Sequence, residues 1–409
     1  MKRILILENS GSGHHPSYLR RILESGIVDA AHVIVAGPPS LLDHGELDAL
    51  RSKCEFHELE IESHQQTRLA DFSASALVRR EFALRAIYGS AWRRACSSGP
   101  IDLIILPLLD GCANAFALLG APFGATPWIA ISMRAQFHLR RMGVDAPDTA
   151  TRPLREWLFR RLLKQESLKA LLTIDPTLAL YAAREAGVDF AKVRFLPDTS
   201  NTYMLTDKKT ARTQLHIPAS AKLILAYGHL TERKGIFTLM RAMARKDCQK
   251  KVHLLLAGSQ DNEVRRFLAG PFAARLRADG RLHLWPDYVP EEAVPALLSA
   301  SDAMWIGYTD FYTMSNILVL AVRHNLQVIA SNQGVIGYLA NKHSIGLLID
   351  PRSEDSVLEA LASVAVPLPS LQEQTARART AFTSHTDATF HRVLIESVAA
   401  AVPDLFAAE

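Results

Sequence analysis

A chain of 409 residues is too long for one ordinary core and divides most naturally into two domains. Its 48% hydrophobic and 22% charged residues suit a soluble globular protein, and a net charge of +4 argues against a dedicated nucleic-acid binder, which needs a strongly basic domain. Four scattered cysteines (Cys54, Cys96, Cys112, Cys248) form no CxxC pair, signal neither a zinc site nor a disulfide framework, and fit a reducing compartment.

The opening run RILILE breaks at Glu8. It reads as a buried strand, too short for a signal-peptide core, and no later apolar run approaches a membrane span. The expected setting is cytoplasmic, with attachment to the cytoplasmic face of a membrane as an option. Next comes the glycine-rich loop NSGSGHHPS, Asn9–Ser17, and a helix from about Pro16. Gly11 and Gly13 permit tight turns and close approach to a ligand. His15 is the histidine expected to face substrate, on the ground that two adjacent histidines cannot point the same way; neutral imidazoles there can bond hydroxyls or move protons.

The runs AHVIVAG, IDLIILPL, PWIAIS, ALLTI and KVRFLP follow, separated by helical stretches, up to Pro197. Uninterrupted Val/Ile/Leu strands alternating with helices are the pattern of a parallel sheet covered on both faces. After PWIAIS, the segment MRAQFH places Arg134 and His138 at the expected ligand-facing edge. RPLREWLFRRLLK, 152–164, mixes basic residues with Leu154, Trp157, Leu158 and Leu162. It could pack as a surface helix or lie on anionic lipid.

The polar stretch 199–220 reads as the crossing between domains. A second series then runs KLILAYG, VHLLLAG, LHLWP, AMWIGY, QVIAS and GLLID, and amphipathic helices close the chain from about Ser353. The expected fold is α/β: two Rossmann-like doubly wound parallel-sheet domains facing a cleft. Residues 1–200 form the N-terminal domain and 201–385 the C-terminal one. Residues 386–409 form a terminal helix with the option of crossing back to the first domain. Ligands in such folds sit at the carboxyl edges of the strands, at switch points.

Two loops of the second half suit phosphate. In GHLTERKG, Arg233 and Lys234 stand just ahead of a helix, where cations oppose the helix dipole unless an anion sits between them. In YTDFYTMSNILVLAV, Ser315 and Asn316 open a helix at the end of a strand, offering unpaired amides and a positive dipole end. Asp310, Ser315 and Asn316 are its polar members, and Ser315 could also cap its own helix.

These pieces resemble the GT-B glycosyltransferases of the family 4 type. The similarity covers Lys222 to about Pro351: Gly228, Leu230, Lys234 and Gly235 in order, then LLLAG, LHLWPDYVPEEAVPALLSASDAMWIGY, VIASNQG and GLLID. The resemblance implies glycosyl transfer from a nucleotide diphosphate sugar to an acceptor hydroxyl. It implies retention of configuration, no metal and no cofactor beyond the sugar nucleotide as co-substrate. It assigns the leaving diphosphate to Arg233, Lys234 and the amides of Ser315 and Asn316, and the base to the neighbourhood of Val289. The unidentified acceptor falls to the first half, with Gly13, His15, Arg134 and His138 as contacts. His229 stands where the family has an arginine. The family's two glutamates fall on Tyr312 and Leu320, so the chain resembles a branch with an MS-x-IL helix start: Met314, Ser315, Ile317 and Leu318. That departure leaves two other readings open, a GT-B binding subunit without activity and a nucleotide-sugar epimerase.

Overall fold

The computed structural model describes residues 1–62, 65, 69, 76–185, 187–365 and 378–406. The chain packs as two units. The first takes Met1–His138, Asp148–Pro197 and the chain from Thr386 onward; the second takes Leu139–Pro147 and Asp198–His385. Each is an α/β unit built on a parallel sheet, as the alternation of strands and helices predicts.

The first unit has seven strands: β1 (Arg3–Leu7), β2 (His32–Gly37), β3 (Glu55–Glu58), β4 (Leu103–Leu106), β5 (Trp128–Ser132), β6 (Leu168–Thr173) and β7 (Val193–Phe195). Their order is β3-β2-β1-β4-β5-β6-β7, all parallel. Ile4 to Leu7 and Leu103 to Leu106 are fully buried, as central strands covered on both faces must be. The strand β3 is not among the apolar runs that mark the others. Glu55, Phe56, His57 and Glu58 form a polar edge strand paired only with β2, and its charges blunt that edge. The first unit also contains α1 (His15–Ile22), α2 (Ala113–Leu119) and α3 (Arg152–Leu163).

The helix α3 divides its apolar residues between two faces. Leu158 and Leu162 are buried, and its one acidic residue, Glu156, points inward to accept from Arg160 and from the Tyr181 hydroxyl. Leu154 and Trp157 remain 55% and 50% exposed. Among the described residues, no helix is long and apolar enough to cross a membrane.

The second unit has six strands: β8 (Lys222–Tyr227), β9 (Val252–Ala257), β10 (Leu282–Trp285), β11 (Ala303–Ile306), β12 (Gln327–Ser331) and β13 (Leu347–Ile349). The order is β10-β9-β8-β11-β12-β13, again all parallel. Ile224, Leu254, Leu256, Met240, Trp305 and Ile329 lie in its core. Two helices matter for the site: α4 (Ile236–Ala244) after β8, and α5 (Asn316–Arg323) after β11. The short stretch Leu139–Pro147, distant in sequence, belongs to this unit, where the Asp145 carbonyl accepts from the Gly334 amide.

The order in which successive strands are added reverses between β1 and β4 in the first sheet and between β8 and β11 in the second. These switch points leave the loops after the two neighbouring strands splayed at the carboxyl edge, where ligands bind in doubly wound folds. The loops are Glu8–His14 and Pro107–Cys112 in the first unit, and Gly228–Gly235 and Gly307–Ser315 in the second.

Candidate functional site

In the second unit the two switch-point loops are fastened to each other. The Trp305 indole donates to the Lys234 carbonyl at 2.7 Å, and the Thr309 amide donates to the Arg233 carbonyl at 2.8 Å. Gly235 makes this approach possible. Its φ is 69°, and a Cβ there would lie 1.9 Å from the Gly307 carbonyl oxygen. The basic turn that precedes α4 is therefore fixed against the loop that precedes α5.

Tyr308 is the point where the two loops converge. The Lys234 ammonium lies 5.6 Å from its ring centre, and Ser315 stands near its hydroxyl. Burial pushes the phenol up to about 12. Phe311 packs edge-on against Tyr308, with centroids 5.4 Å apart, and the Arg233 guanidinium stands 5.0 Å from the centre of the Phe311 ring. Both cations of the GHLTERKG loop thus rest on an aromatic pair supplied by the other loop.

Lys234 and Arg233 differ in setting. The Lys234 residue is partly accessible, but its ammonium is enclosed and donates to the Tyr227 carbonyl. Burial first, and Arg233 second, push its pKa down to about 8. An enclosed cation with a depressed pKa gains from a nearby anion. Gly228 faces it, where a Cβ would come 3.2 Å from the ammonium nitrogen. Arg233 is exposed and free to present its planar fork.

Ser315 precedes α5 but does not cap it with its side chain. The first amides of α5 are therefore left without that acceptor. The capping alternative for Ser315 is thereby set aside. Met314 is buried beneath the loop. The Asn316 side chain is committed elsewhere: its amide donates to the Thr199 carbonyl at 2.5 Å and to Asp198 at 3.3 Å, so only its backbone N–H can serve an anion.

The remaining expected positions of this unit are paired with other groups or buried. Asp310, at φ 51°, accepts from Arg352 at 2.5 Å and from the Tyr312 hydroxyl at 3.0 Å, and these bonds hold its carboxyl below the usual range. Its carboxylate is engaged, and Arg352, which no local sequence feature singles out, becomes the third cation of the neighbourhood. His229 is exposed and paired with the Ser259 hydroxyl at 2.9 Å. Val289 is buried in the loop after β10. Leu320 is buried within α5.

In the first unit, the loop after β1 is organised by Glu8, which in the sequence marks only the end of the first strand. It is 1% exposed, accepts from the amides of Asn9 at 2.7 Å and Ser10 at 3.1 Å, and lies 3.0 Å from Nδ1 of His15. The carboxylate fixes the imidazole's orientation. The expectation that the two histidines diverge is corrected: their rings stack at 4.9 Å with 17° between planes. Packing, His15 and Arg134 together hold His14 down to about 4. Gly13 turns the chain into α1 at φ 64° with open space around it, whereas Gly11 presses on Ser40 and Leu41. A Cβ at Gly11 would lie 2.3 Å from the Ser40 carbonyl carbon, so the close approach expected there is to protein, not to a ligand.

After β4, Asp110 accepts from the Ser132 hydroxyl and from the amides of Met133 and Arg134, and burial raises its carboxyl despite these bonds. Arg134 is exposed beside the histidine pair. His138 is a second correction. It is fully buried, with Nε2 against Asp175 at 3.1 Å and Thr177 at 3.0 Å, and packs on Phe137 and Tyr181. It belongs to the interior, not to the ligand-facing edge. Among the described residues, no group of three His, Cys, Asp or Glu side chains is placed to hold a metal ion.

Residues 207–380 match the family described as Glycosyl transferases group 1. No curated protein matches the chain in sequence. The fold of the whole chain is similar to sucrose-phosphate synthase from Thermosynechococcus elongatus, with 18% identity, a TM-score of 0.71 and 100% of both chains covered. It is also similar to Anabaena HepE in complex with UDP and glucose, with 14% identity, a TM-score of 0.66, and 98% of this chain and 100% of that one covered. WaaG, a glycosyltransferase involved in lipopolysaccharide biosynthesis, aligns at 14% identity and a TM-score of 0.62 over 98% of this chain and 99% of that one. The architecture is that of GT-B proteins. Residues 207–380 are similar to the group 1 glycosyltransferases, and the enzyme class is glycosyltransferase.

Proposed function

We propose that this protein moves a sugar from a nucleotide diphosphate sugar to an acceptor hydroxyl, with retention of configuration and without a divalent metal. The second unit holds the donor's diphosphate on Lys234, Arg233 and the amides that open α5. The observation that carries this reading is the shared contact on Tyr308, which brings an enclosed ammonium and an uncapped helix start to one place. The match of residues 207–380 to group 1 glycosyltransferases supports it.

In the reaction, the bond between the anomeric carbon and the diphosphate oxygen breaks, and negative charge gathers on the leaving phosphate. Donors already fixed in an enclosed setting stabilise that charge without reorganising. Lys234 serves as the point charge, Arg233 as a two-pronged donor, and the α5 amides as a dipole end. The base of the donor is assigned to the neighbourhood of Val289. The UDP seen in the Anabaena structure makes uracil the first base to try. Tyr312 and Leu320 carry no carboxylate, so ribose recognition rests on other groups.

The first unit supplies acceptor contacts from Gly13, His15 and Arg134. With Nδ1 turned to Glu8, His15 leaves Nε2 for a hydroxyl proton. A panel of UDP-, GDP- and dTDP-sugars tests the reading by thermal shift and by release of nucleoside diphosphate. One base should stabilise the protein and support turnover. A folded protein that binds a donor but never turns it over would favour the binding-subunit reading, and an epimerised donor formed without acceptor would favour the epimerase.

A further inference from the structure

The geometry points to the outer face of α3, together with the end of α2, as a docking surface for an anionic lipid bilayer. Leu154 and Trp157 stand 55% and 50% exposed on α3, and Leu118 and Leu119 stand 41% and 58% exposed at the end of α2. One side chain joins the two groups. Arg161 donates to the carbonyls of Ala117 at 2.7 Å and Leu118 at 3.4 Å, while its guanidinium lies 5.6 Å from the centre of the Trp157 ring. Arg161 therefore ties the exposed Trp157 of α3 to the exposed end of α2 within the first unit.

The exposed charges of α3 and of the lysine that ends it are all positive. Arg155, Arg161 and Lys164 are exposed, whereas Glu156, the helix's one acid, is buried and paired with Arg160. Leu154, Trp157, Arg161 and Lys164 recur at helical spacing on one face. Exposed leucines and a tryptophan with interleaved cations fit the boundary between headgroups and acyl chains, where the ring and the leucines insert and the cations meet phosphates. A second copy of this chain fits less well, because a two-fold contact would set one basic patch against its twin. The patch is independent of the donor site: none of its residues holds the diphosphate.

Cosedimentation of the full chain with vesicles of phosphatidylcholine, with and without phosphatidylglycerol, tests it at low and high salt. The protein should partition onto phosphatidylglycerol vesicles at low salt, stay free of pure phosphatidylcholine, and be released by salt. The double variant Leu154→Ser/Trp157→Ser should lose at least about tenfold in partitioning. Arg155→Glu/Lys164→Glu should lose about tenfold or more at low salt. All four positions are exposed, so both variants should keep the wild-type unfolding temperature. The inference is overturned if the protein ignores anionic vesicles at low salt or if the variants bind like wild type. It is equally overturned if the wild type forms a dimer that the Leu154→Ser/Trp157→Ser variant abolishes.

Discussion

Replacing Lys234 by methionine should leave the free protein as stable as before or firmer, while weakening its hold on nucleoside diphosphates. The ammonium is enclosed and its pKa falls from 10.5 to about 8. A drop of that size is about 3 kcal/mol of disfavour toward the charged form, which we discount to about 1–2 kcal/mol because the residue is partly open to water. The folded pKa lies below the unfolded value, so the penalty is in full force below about 8 and fades as pH rises from there toward 10.5. Methionine keeps the apolar stem and removes the charge, at the expense of about 1 kcal/mol for the Tyr227 carbonyl that loses its donor. The free variant should therefore unfold within about 1 kcal/mol of wild type or above it. Binding should move the other way, because a charge-assisted bond to phosphate contributes about 1.5–3 kcal/mol, or about ten- to a hundredfold in Kd. Calorimetric titration with UDP and with inorganic pyrophosphate, beside thermal unfolding, reads both effects. In wild type the affinity should also fall as pH climbs through about 8, and the variant should lack that slope. Unchanged affinity, or a loss of stability with affinity intact, would refute the reasoning, since Lys234 would then be a structural residue.

Three further variants separate binding from folding. Tyr308→Phe removes the phenol hydroxyl near Ser315 while keeping the ring beneath Lys234, so UDP affinity should fall by about 1 kcal/mol, roughly fivefold, with little change in unfolding temperature. Gly235→Ala forces a Cβ to within 1.9 Å of the Gly307 carbonyl in a left-handed conformation, and chemical denaturation should show a loss of at least about 2 kcal/mol together with impaired binding. Glu8→Gln weakens the anchor of the first loop and its hold on His15, and should cost about 1–2 kcal/mol of stability while leaving UDP affinity unchanged, because Glu8 and Lys234 belong to different units.

What could be read from the sequence follows from where the signal lies in the chain. The strands of the second unit stand out as mostly apolar runs because central parallel strands are covered on both faces, and VHLLLA, for example, is buried throughout. The edge strand β3 escaped because EFHE carries charge toward water and has no such run. Lys234, Arg233 and Ser315 could be picked out because cations and cap-type residues at helix starts are local features. Their meeting around Tyr308 and Phe311 is not local: it depends on β8 and β11 being neighbours, which only the sheet order provides. His138 misled for the same reason. Its surroundings MRAQFH look like a surface loop, and the partners that bury it, Asp175 and Thr177, lie far along the chain. A capping signal was nevertheless present at Asp175, followed by Pro176 at the start of a helix. Glu8 was visible as the residue that ends the first strand, but its service to two amides and an imidazole depends on how the loop folds back. The pairing of Arg352 with Asp310 joins two loop residues across the sheet edge and left no trace in spacing.

A crystal structure of the protein with UDP bound tests the diphosphate cradle most directly. Diphosphate oxygens should lie within about 3 Å of the Lys234 ammonium and of the backbone amides of Ser315 and Asn316. A well-ordered nucleotide whose diphosphate touches neither would contradict the assignment.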